Sequence, residues 1–199
     1  MSAKKQRWIQ LLFLLSFAVG GVQVNDMLNR EKIAAVKPPH REFERTPMDE
    51  FDWPEAGMAV ELPGIPKKVE RDVSKFGVVM SFSGRSAFDG VVSYMAAFVD
   101  YPLELPLPVT AEELVELVRW QLTETFSGEE IVVKPRTFGK HIAFEAWTSG
   151  EPGSRSASRF RLVLVGRRGY ILTVTGMQHE LDAPKTDRFF ESFRPLDEP

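Results

Sequence analysis

The sequence lacks cysteine, lacks a strong charge imbalance and contains one long apolar run. Without cysteine, the chain forms no disulfide, offers no thiolate to a metal or a substrate, and carries no lipid on an N-terminal cysteine. Its 25 basic and 28 acidic side chains nearly cancel, no basic stripe indicates nucleic-acid binding, and no acidic run indicates a solvating tail. The 199 residues, 43% of them hydrophobic, are enough for one domain with a packed core.

Residues 1–24 have the pattern of a membrane-directed segment. Three basic side chains precede an apolar run from Trp8 to Val24. Two interpretations stay open: a signal peptide cleaved near residues 16–20, or an uncleaved transmembrane anchor at the lower limit of about 17–25 residues for spanning a bilayer. We favour the anchor. The basic residues predict a cytoplasmic N-terminus under either interpretation, so the remaining chain is expected outside the inner membrane, in the periplasm.

Residues 25–56 are expected to form a tether between the membrane and a folded domain. Charges of both signs alternate with prolines there. Weak helical spacing over residues 25–36 could extend a helix out of the membrane, and Pro38 and Pro39 would end it. Phe43, Phe51 and Trp53 are the exceptions to this polarity. They pack the tether against the domain, or they contact a partner protein; the first role is the more common one for aromatic side chains at a domain edge.

The stretch of residues 158–176 predicts a central β-hairpin. Apolar side chains alternate along both arms, at Phe160, Leu162 and Leu164 in the first and at Tyr170, Leu172 and Val174 in the second. Each arm therefore presents one apolar face to a core. Glycines at both ends of the turn at residues 166–169 supply positive φ angles and leave Arg167 and Arg168 in water. Because a lone hairpin is marginally stable, other elements must cover it.

Further elements surround this hairpin. Strands are expected at residues 58–62, 67–73, 76–82, 91–99, 131–134 and 140–148, with turns at residues 83–85 and at Gly139. Segment 91–99 is apolar on both faces, which is typical of a strand inside a sheet that is covered on both sides. Thr110 and Glu113 form a capping box for a helix over residues 110–126, and a second helix is expected over 184–193. This order predicts an α+β fold, an antiparallel β-sheet sandwiched by helices.

Several short stretches carry a family resemblance. They are residues 60–66 (Val-Glu-Leu-Pro-Gly-Ile-Pro), 94–102 (ending in Asp-Tyr-Pro), the helix that follows, 161–174, and 188–193 (Arg-Phe-Phe-Glu-Ser-Phe). In this order they resemble the Mog1p/PsbP-like family of α/β/α sandwiches, over residues 57–195 and without the tail at 196–199. That family includes extrinsic subunits of photosynthetic water oxidation, a nuclear GTPase-binding protein and many exported bacterial proteins. The matching stretches are turns and core aromatics, so the resemblance implies a fold and supplies no catalytic residue.

Residues that could carry chemistry are sparse. His40 lies in the tether, His141 in a strand and His179 beyond the last strand, which does not match the close ligand spacing of metal sites. The nearest grouping joins His179 to Glu180 and Asp182, and chance composition explains it better than a zinc site. No phosphate-binding loop and no G-x-S-x-G nucleophile motif is present. The sequence therefore predicts neither an enzyme nor a cofactor or metal.

The largest group of like charges is a set of arginines near the hairpin. Its members are Arg155, Arg159, Arg161, Arg167 and Arg168. Two interpretations apply: a solvated rim of the sheet, which is the more common arrangement, or a basic patch that binds an acidic partner or lipid head groups. Under the second interpretation the tether aromatics would belong to the same partner-binding surface.

Two functions from different classes fit these observations. The first is a non-enzymatic, membrane-anchored accessory subunit whose exported domain binds and stabilises a larger membrane protein complex, photosynthetic or respiratory. The alternative is a secreted soluble domain, released by cleavage of its signal peptide, that binds a small ligand. The two functions differ in whether residues 1–24 are retained, as in the anchored subunit, or removed, as in the secreted domain.

Overall fold

The computed structural model describes residues 46–75, 78–103, 110, 112–116, 119, 131–148 and 156–196. The expected anchor, Phe43 and most of the expected helix over residues 110–126 lie outside these ranges. Within these ranges, none of the helices has the length and hydrophobicity of a transmembrane span.

Besides a 3₁₀ helix at Pro54–Ala56 and the helical residues 112–116, the described part of the chain contains ten strands and two short α-helices. They are β1 (Met48–Trp53), β2 (Met58–Pro63), β3 (Lys67–Lys75), β4 (Val78–Phe88), β5 (Ser93–Asp100), β6 (Ile131–Phe138), β7 (His141–Thr148), β8 (Ser156–Val165), β9 (Arg168–Met177), α1 (Gln178–Leu181), α2 (Pro184–Ser192) and β10 (Arg194–Pro195). A seven-stranded sheet has the order β3-β4-β5-β9-β8-β7-β6, and a three-stranded sheet has the order β1-β2-β10. All pairings are antiparallel.

The predicted central hairpin is present as β8 and β9. Its turn is tighter than expected, because Val165 already pairs with Arg168 and only Gly166 and Arg167 lie between the strands. Gly166 adopts a φ of 57°, the left-handed conformation that such a turn requires. The alternating side chains of the two arms lie on opposite sides of the sheet, with Leu162 on one side and Leu172 on the other. The hairpin is therefore covered on both faces of the sheet. The alternation of side chains had predicted only that each arm presents one apolar face to a core.

Strand β5 lies inside the sheet, as its double apolar pattern predicted. It pairs with β4 on one edge and β9 on the other. Met95 and Ala97 belong to one core, and Tyr94 and Ala96 belong to the other; all four are buried. Burial of both faces of β5 confirms that the sheet is the middle layer of the domain.

Different elements cover the two faces of the large sheet. On one face, Leu114 and Val115 from the helical residues 112–116 pack on the sheet. This helix begins as predicted, since the Thr110 hydroxyl accepts a hydrogen bond from the Glu113 amide at 3.1 Å. On the other face lie α2 and the small sheet β1-β2-β10, which bring many of the core aromatics.

Three sequence expectations need correction. The domain is not simply a sheet between helices, because a three-stranded sheet forms much of one cover. The segment 25–56, expected to be a tether, contains β1, which pairs with β2 along its whole length. The turn expected at residues 83–85 is absent, and β4 runs straight through it. Gly84 serves close packing instead, since a Cβ there would lie 3.2 Å from the Cβ of Ala97.

Both edges of the large sheet carry features that oppose pairing with another chain. Edge strand β3 exposes charged side chains of both signs, including Lys67, Lys68 and Glu70. The opposite edge, β6, exposes Lys134 and Arg136 and contains Pro135, which has no amide hydrogen to donate.

Candidate partner-binding surface

Two of the candidate arginines lie between the sheet and α2. Arg159 and Arg161 project from β8 on the face that α2 covers, and their side chains are 14% and 16% exposed. Each lies opposite a β7 residue on that face, Arg161 opposite Glu145 and Arg159 opposite Trp147. They are therefore interior side chains of a layered domain, where the sequence left open a solvated rim or a docking patch.

Glu145 supplies the counter-ion of Arg161 in this part of the interior. Its buried carboxylate accepts hydrogen bonds from Nε of Arg161 at 2.9 Å and from Nε of Arg136 at 3.3 Å. Arg161 also donates to the carbonyl oxygen of Phe190 at 2.6 Å, which joins the sheet to α2. A buried carboxylate is tolerated because it is paired and hydrogen-bonded in this way.

Arg159 forms the outer part of the same network. It donates to Asp187 of α2 at 2.5 Å. Its guanidinium lies over two aromatic rings, 4.7 Å from the centroid of Phe190 and 5.6 Å from that of Trp147. These contacts are typical of arginine, whose flat, weakly hydrated cation stacks on aromatic faces.

Beyond α2, the same face of the sheet opens to solvent at strand β6. Lys134 and Arg136 are exposed there, and the Lys134 ammonium lies 5.4 Å from the ring centroid of Trp147, which is partly exposed. We call Lys134, Arg136 and Trp147 the basic rim. The sequence did not single out any of the three, because their proximity depends on the register between β6 and β7.

The basic rim combines a positive field with an aromatic anchor. The network around it contains four cations and two carboxylates and so carries a net charge of +2; its members are Lys134, Arg136, Arg159, Arg161, Glu145 and Asp187. Val132 at the start of the same β6 row is also partly exposed. Tryptophan and arginine are enriched at protein interfaces, and complementary charge accelerates and orients docking. The arrangement suits an acidic protein surface.

Arg167 and Arg168, expected in water, hold the hairpin turn against the end of β5. Nε of Arg167 donates to the carbonyl oxygen of Tyr101 at 2.9 Å, and its NH2 group donates to that of Pro102. Arg168 binds both carboxylate oxygens of Asp100, at 2.6 and 2.7 Å. The hydrogen bond with Asp100 raises the pKa of Arg168 above its usual value. These arginines stabilise the fold.

The described tether aromatics are also part of the domain. Trp53 is buried, and Phe51 is partly buried against the same core. The guanidinium of Arg85 lies 4.6 Å from the Trp53 ring centroid, and the ring of Phe98 meets that of Trp53 at 5.4 Å. Both aromatics thus pack β1 onto the sheet.

Asp89 is a buried carboxylate that the sequence did not reveal. It follows β4 and accepts hydrogen bonds from the amides of Val91 and Val92 at 3.0 and 2.8 Å. Nζ of Lys185 in α2 lies 2.8 Å from it and also donates to the carbonyl oxygen of Thr46 at 2.8 Å. Burial alone would raise the pKa of Asp89, but the Lys185 and amide hydrogen bonds outweigh it and hold the pKa below 3.8.

The described residues contain no group of three histidine, cysteine, aspartate or glutamate side chains that could hold a metal ion. His179 lies 3.3 Å from Glu180, and Asp182 is exposed without completing a cluster.

Comparisons with known proteins identify a fold. No protein-family model matches the chain, and no curated protein matches it in sequence. The solution structure of cyanobacterial PsbP (CyanoP) from Synechocystis sp. PCC 6803 covers 80% of this chain and 98% of its own, with a TM-score of 0.51 and 10% sequence identity. The chain has a PsbP-like fold. This confirms the resemblance predicted from residues 57–195.

The PsbP-like fold gives the resembling stretches structural roles. The Asp-Tyr-Pro stretch at residues 100–102 receives the hairpin arginines. Of the closing stretch at 188–193, Phe189, Phe190 and Phe193 pack on the sheet. The stretch at 60–66 supplies β2 and the turn after it. In this PsbP-like domain, the matching residues build the fold, and the basic rim lies outside all of them.

Proposed function

We propose that this chain is a non-enzymatic accessory subunit of a membrane protein complex. Residues 1–24 anchor it in the inner membrane by a single pass, with the N-terminus in the cytoplasm and the PsbP-like domain in the periplasm. The domain binds and stabilises a larger assembly, photosynthetic or respiratory. The observation that carries this proposal is the basic rim, a positive surface with an aromatic anchor on an otherwise charge-balanced domain.

The chemistry of the described side chains favours binding over catalysis. Two buried carboxylates, Glu145 and Asp89, are held in ion pairs with arginine or lysine. The Tyr94 hydroxyl donates to Asp89 at 3.5 Å, a longer contact than the 2.8 Å hydrogen bond from Lys185, and Glu145 is held by arginines. Both join α2 to the sheet, so their role in this proposal is structural.

The position of the rim suits a docking surface. Lys134 and Arg136 lie on an edge strand, and Arg136 also contacts Glu145, which limits its motion. A partly ordered cation loses less entropy on binding than a free one. An acidic patch on a larger subunit would meet these cations beside Trp147.

Gentle solubilisation of membranes tests the proposal. The intact mass of the protein that is recovered shows whether residues 1–24 are retained, and native electrophoresis shows its assembly. We expect the full chain, 22.6 kDa, to migrate within a larger complex. A shorter mature chain that migrates alone would contradict the proposal and favour a secreted ligand-binding domain.

A further inference from the structure

Three large apolar side chains are exposed at one end of the domain. Ile65 is 95% exposed, Phe88 is 55% exposed and Met177 is 47% exposed. The strand registers bring Phe88 and Met177 together: Phe88 pairs with Ser93, Ser93 pairs with Thr175, and Met177 lies two residues beyond Thr175. Ile65 belongs to the turn ahead of β3, next to the end of β4. We call Ile65, Phe88 and Met177 the apolar end.

Ile65 is placed to protrude from this end. It occupies the turn between β2 and β3, which runs from one layer of the domain to the other. Gly64 before it adopts a φ of 62°, and Pro66 follows it. The proline limits the conformations of the turn, so the isoleucine is presented to solvent on a stiff support.

The N-terminal part of the chain meets the domain at the same end. Lys185 bridges the carbonyl oxygen of Thr46 and the carboxylate of Asp89, at 2.8 Å each. A Cβ on Gly64 would lie 3.3 Å from Cγ2 of Thr46. The first described residue is therefore fixed between the neighbours of Ile65 and Phe88. The preceding residues, which include the apolar run that ends at Val24, continue from this point.

We infer that the apolar end inserts its side chains into the interfacial region of a phospholipid bilayer. This rests on the membrane anchoring in the proposed function and adds the orientation of the domain. An anchor that leaves the domain at this end brings these apolar side chains toward the membrane, where isolated isoleucine, phenylalanine and methionine partition favourably. Exposed Lys67, two residues after Ile65, can reach lipid phosphates.

The orientation leaves the basic rim available to a protein partner. Lys134 and Arg136 lie midway along β6, on the flank of the sheet and away from its end. The apolar end would contact lipid while the basic rim, on the flank of the sheet, contacts protein. The far end carries Leu103, which is 83% exposed and follows β5. Since β5 has eight residues, the two ends are roughly 25 Å apart.

The absence of cysteine makes a direct test available. The full chain is prepared with Ile65→Cys or, as the matched control, Leu103→Cys, and labelled with an environment-sensitive nitrobenzoxadiazole dye. Both side chains are highly exposed, so neither substitution disturbs the core. The chain is reconstituted into vesicles of phosphatidylcholine and phosphatidylglycerol that contain spin-labelled lipid. We expect a blue-shifted emission at position 65 that the spin-labelled lipid quenches at least twofold more than the emission at position 103.

Each other outcome overturns the inference in a distinguishable way. If the chain resists carbonate extraction but both dyes stay in water, anchoring stands and the orientation is wrong. If the chain is extracted from the vesicles and neither dye responds, the inference and the proposed anchoring both fail. If the dye at position 65 shifts only when solubilised membrane proteins are added, and lipid does not quench it, the apolar end contacts a protein.

Discussion

The carboxylate of Glu145 accepts a 2.9 Å hydrogen bond from Nε of Arg161, its cross-strand neighbour in the large sheet. Arg161 in turn reaches the backbone of α2 at Phe190. The ion pair joins two strands of the central sheet, and the hydrogen bond from Arg161 to Phe190 extends it to the helix that covers the sheet. The same pair removes Arg161 from the exposed surface, so partner binding must use other cations.

Removal of the Glu145 carboxylate should destabilise the domain strongly. Glu145→Ala leaves the guanidinium of Arg161 buried without its counter-ion, which we expect to lower the free energy of unfolding by about 3–5 kcal/mol. Urea denaturation measures the change. The matched control is Glu70→Ala, which breaks the exposed pair with Lys68 and should cost about 0–1 kcal/mol. Equal effects of the two substitutions would contradict the role of Glu145.

Replacing both Glu145 and Arg161 tests whether an unpaired buried charge causes the destabilisation. Glu145→Met combined with Arg161→Met removes both charges and keeps similar volumes. We expect this double variant to be more stable than Glu145→Ala, because no unpaired charge is left inside. The comparison uses the same urea denaturation. A double variant as unstable as the single one would show that the charges themselves are not what matters.

The stabilisation from Asp89 should depend on pH. Its pKa in the folded domain lies below 3.8, so the carboxylate stabilises the fold above the unfolded pKa of about 3.9. That contribution is lost as the pH falls through the folded value. Asp89→Asn should therefore cost about 1.5–3 kcal/mol near pH 7, where the charge-assisted bond to Lys185 is lost, and less below pH 3.8. Urea denaturation at both pH values measures this, and a pH-independent difference would contradict it.

Any side chain at position 169 should destabilise the domain. It lies in β9 beside the buried ring of Tyr101, and a Cβ there would approach that ring to 2.9 Å. Gly169→Ala should cost about 1–3 kcal/mol by overpacking. In a Tyr101→Leu background, which removes the ring, the same substitution should cost less. Thermal or urea unfolding of the four proteins forms the cycle, and strictly additive effects would rule out the clash.

The sequence predicted much of the fold because the main signals are local. Alternating side chains revealed the β8–β9 hairpin, and the double apolar pattern of residues 91–99 revealed an interior strand. The cap at Thr110 and the proline at the start of α2 also marked their helices. One wrong prediction also came from a local signal. The residues Ser-Gly-Arg at 83–85 are typical of a turn, but Gly84 lies in a strand, where it allows close packing against Ala97.

The surfaces were harder to predict because they depend on register and on packing between layers. Arg159 and Arg161 alternate with apolar residues as exposed side chains do, and only the position of α2 buries them. The basic rim arises because β6 pairs with β7 so that Lys134 comes near Trp147. Nothing in the one-dimensional pattern linked Asp89 to Lys185, 96 residues later.

Native electrophoresis of a basic-rim variant tests the central claim most directly. Lys134→Glu with Arg136→Gln removes the positive field, and glutamine at position 136 avoids a new repulsion against Glu145. The control is Arg71→Glu, on the opposite edge strand of the same sheet. After gentle solubilisation, the rim variant should leave the large complex and migrate alone, while the control stays in it. A rim variant that remains in the complex as fully as the control would contradict the account.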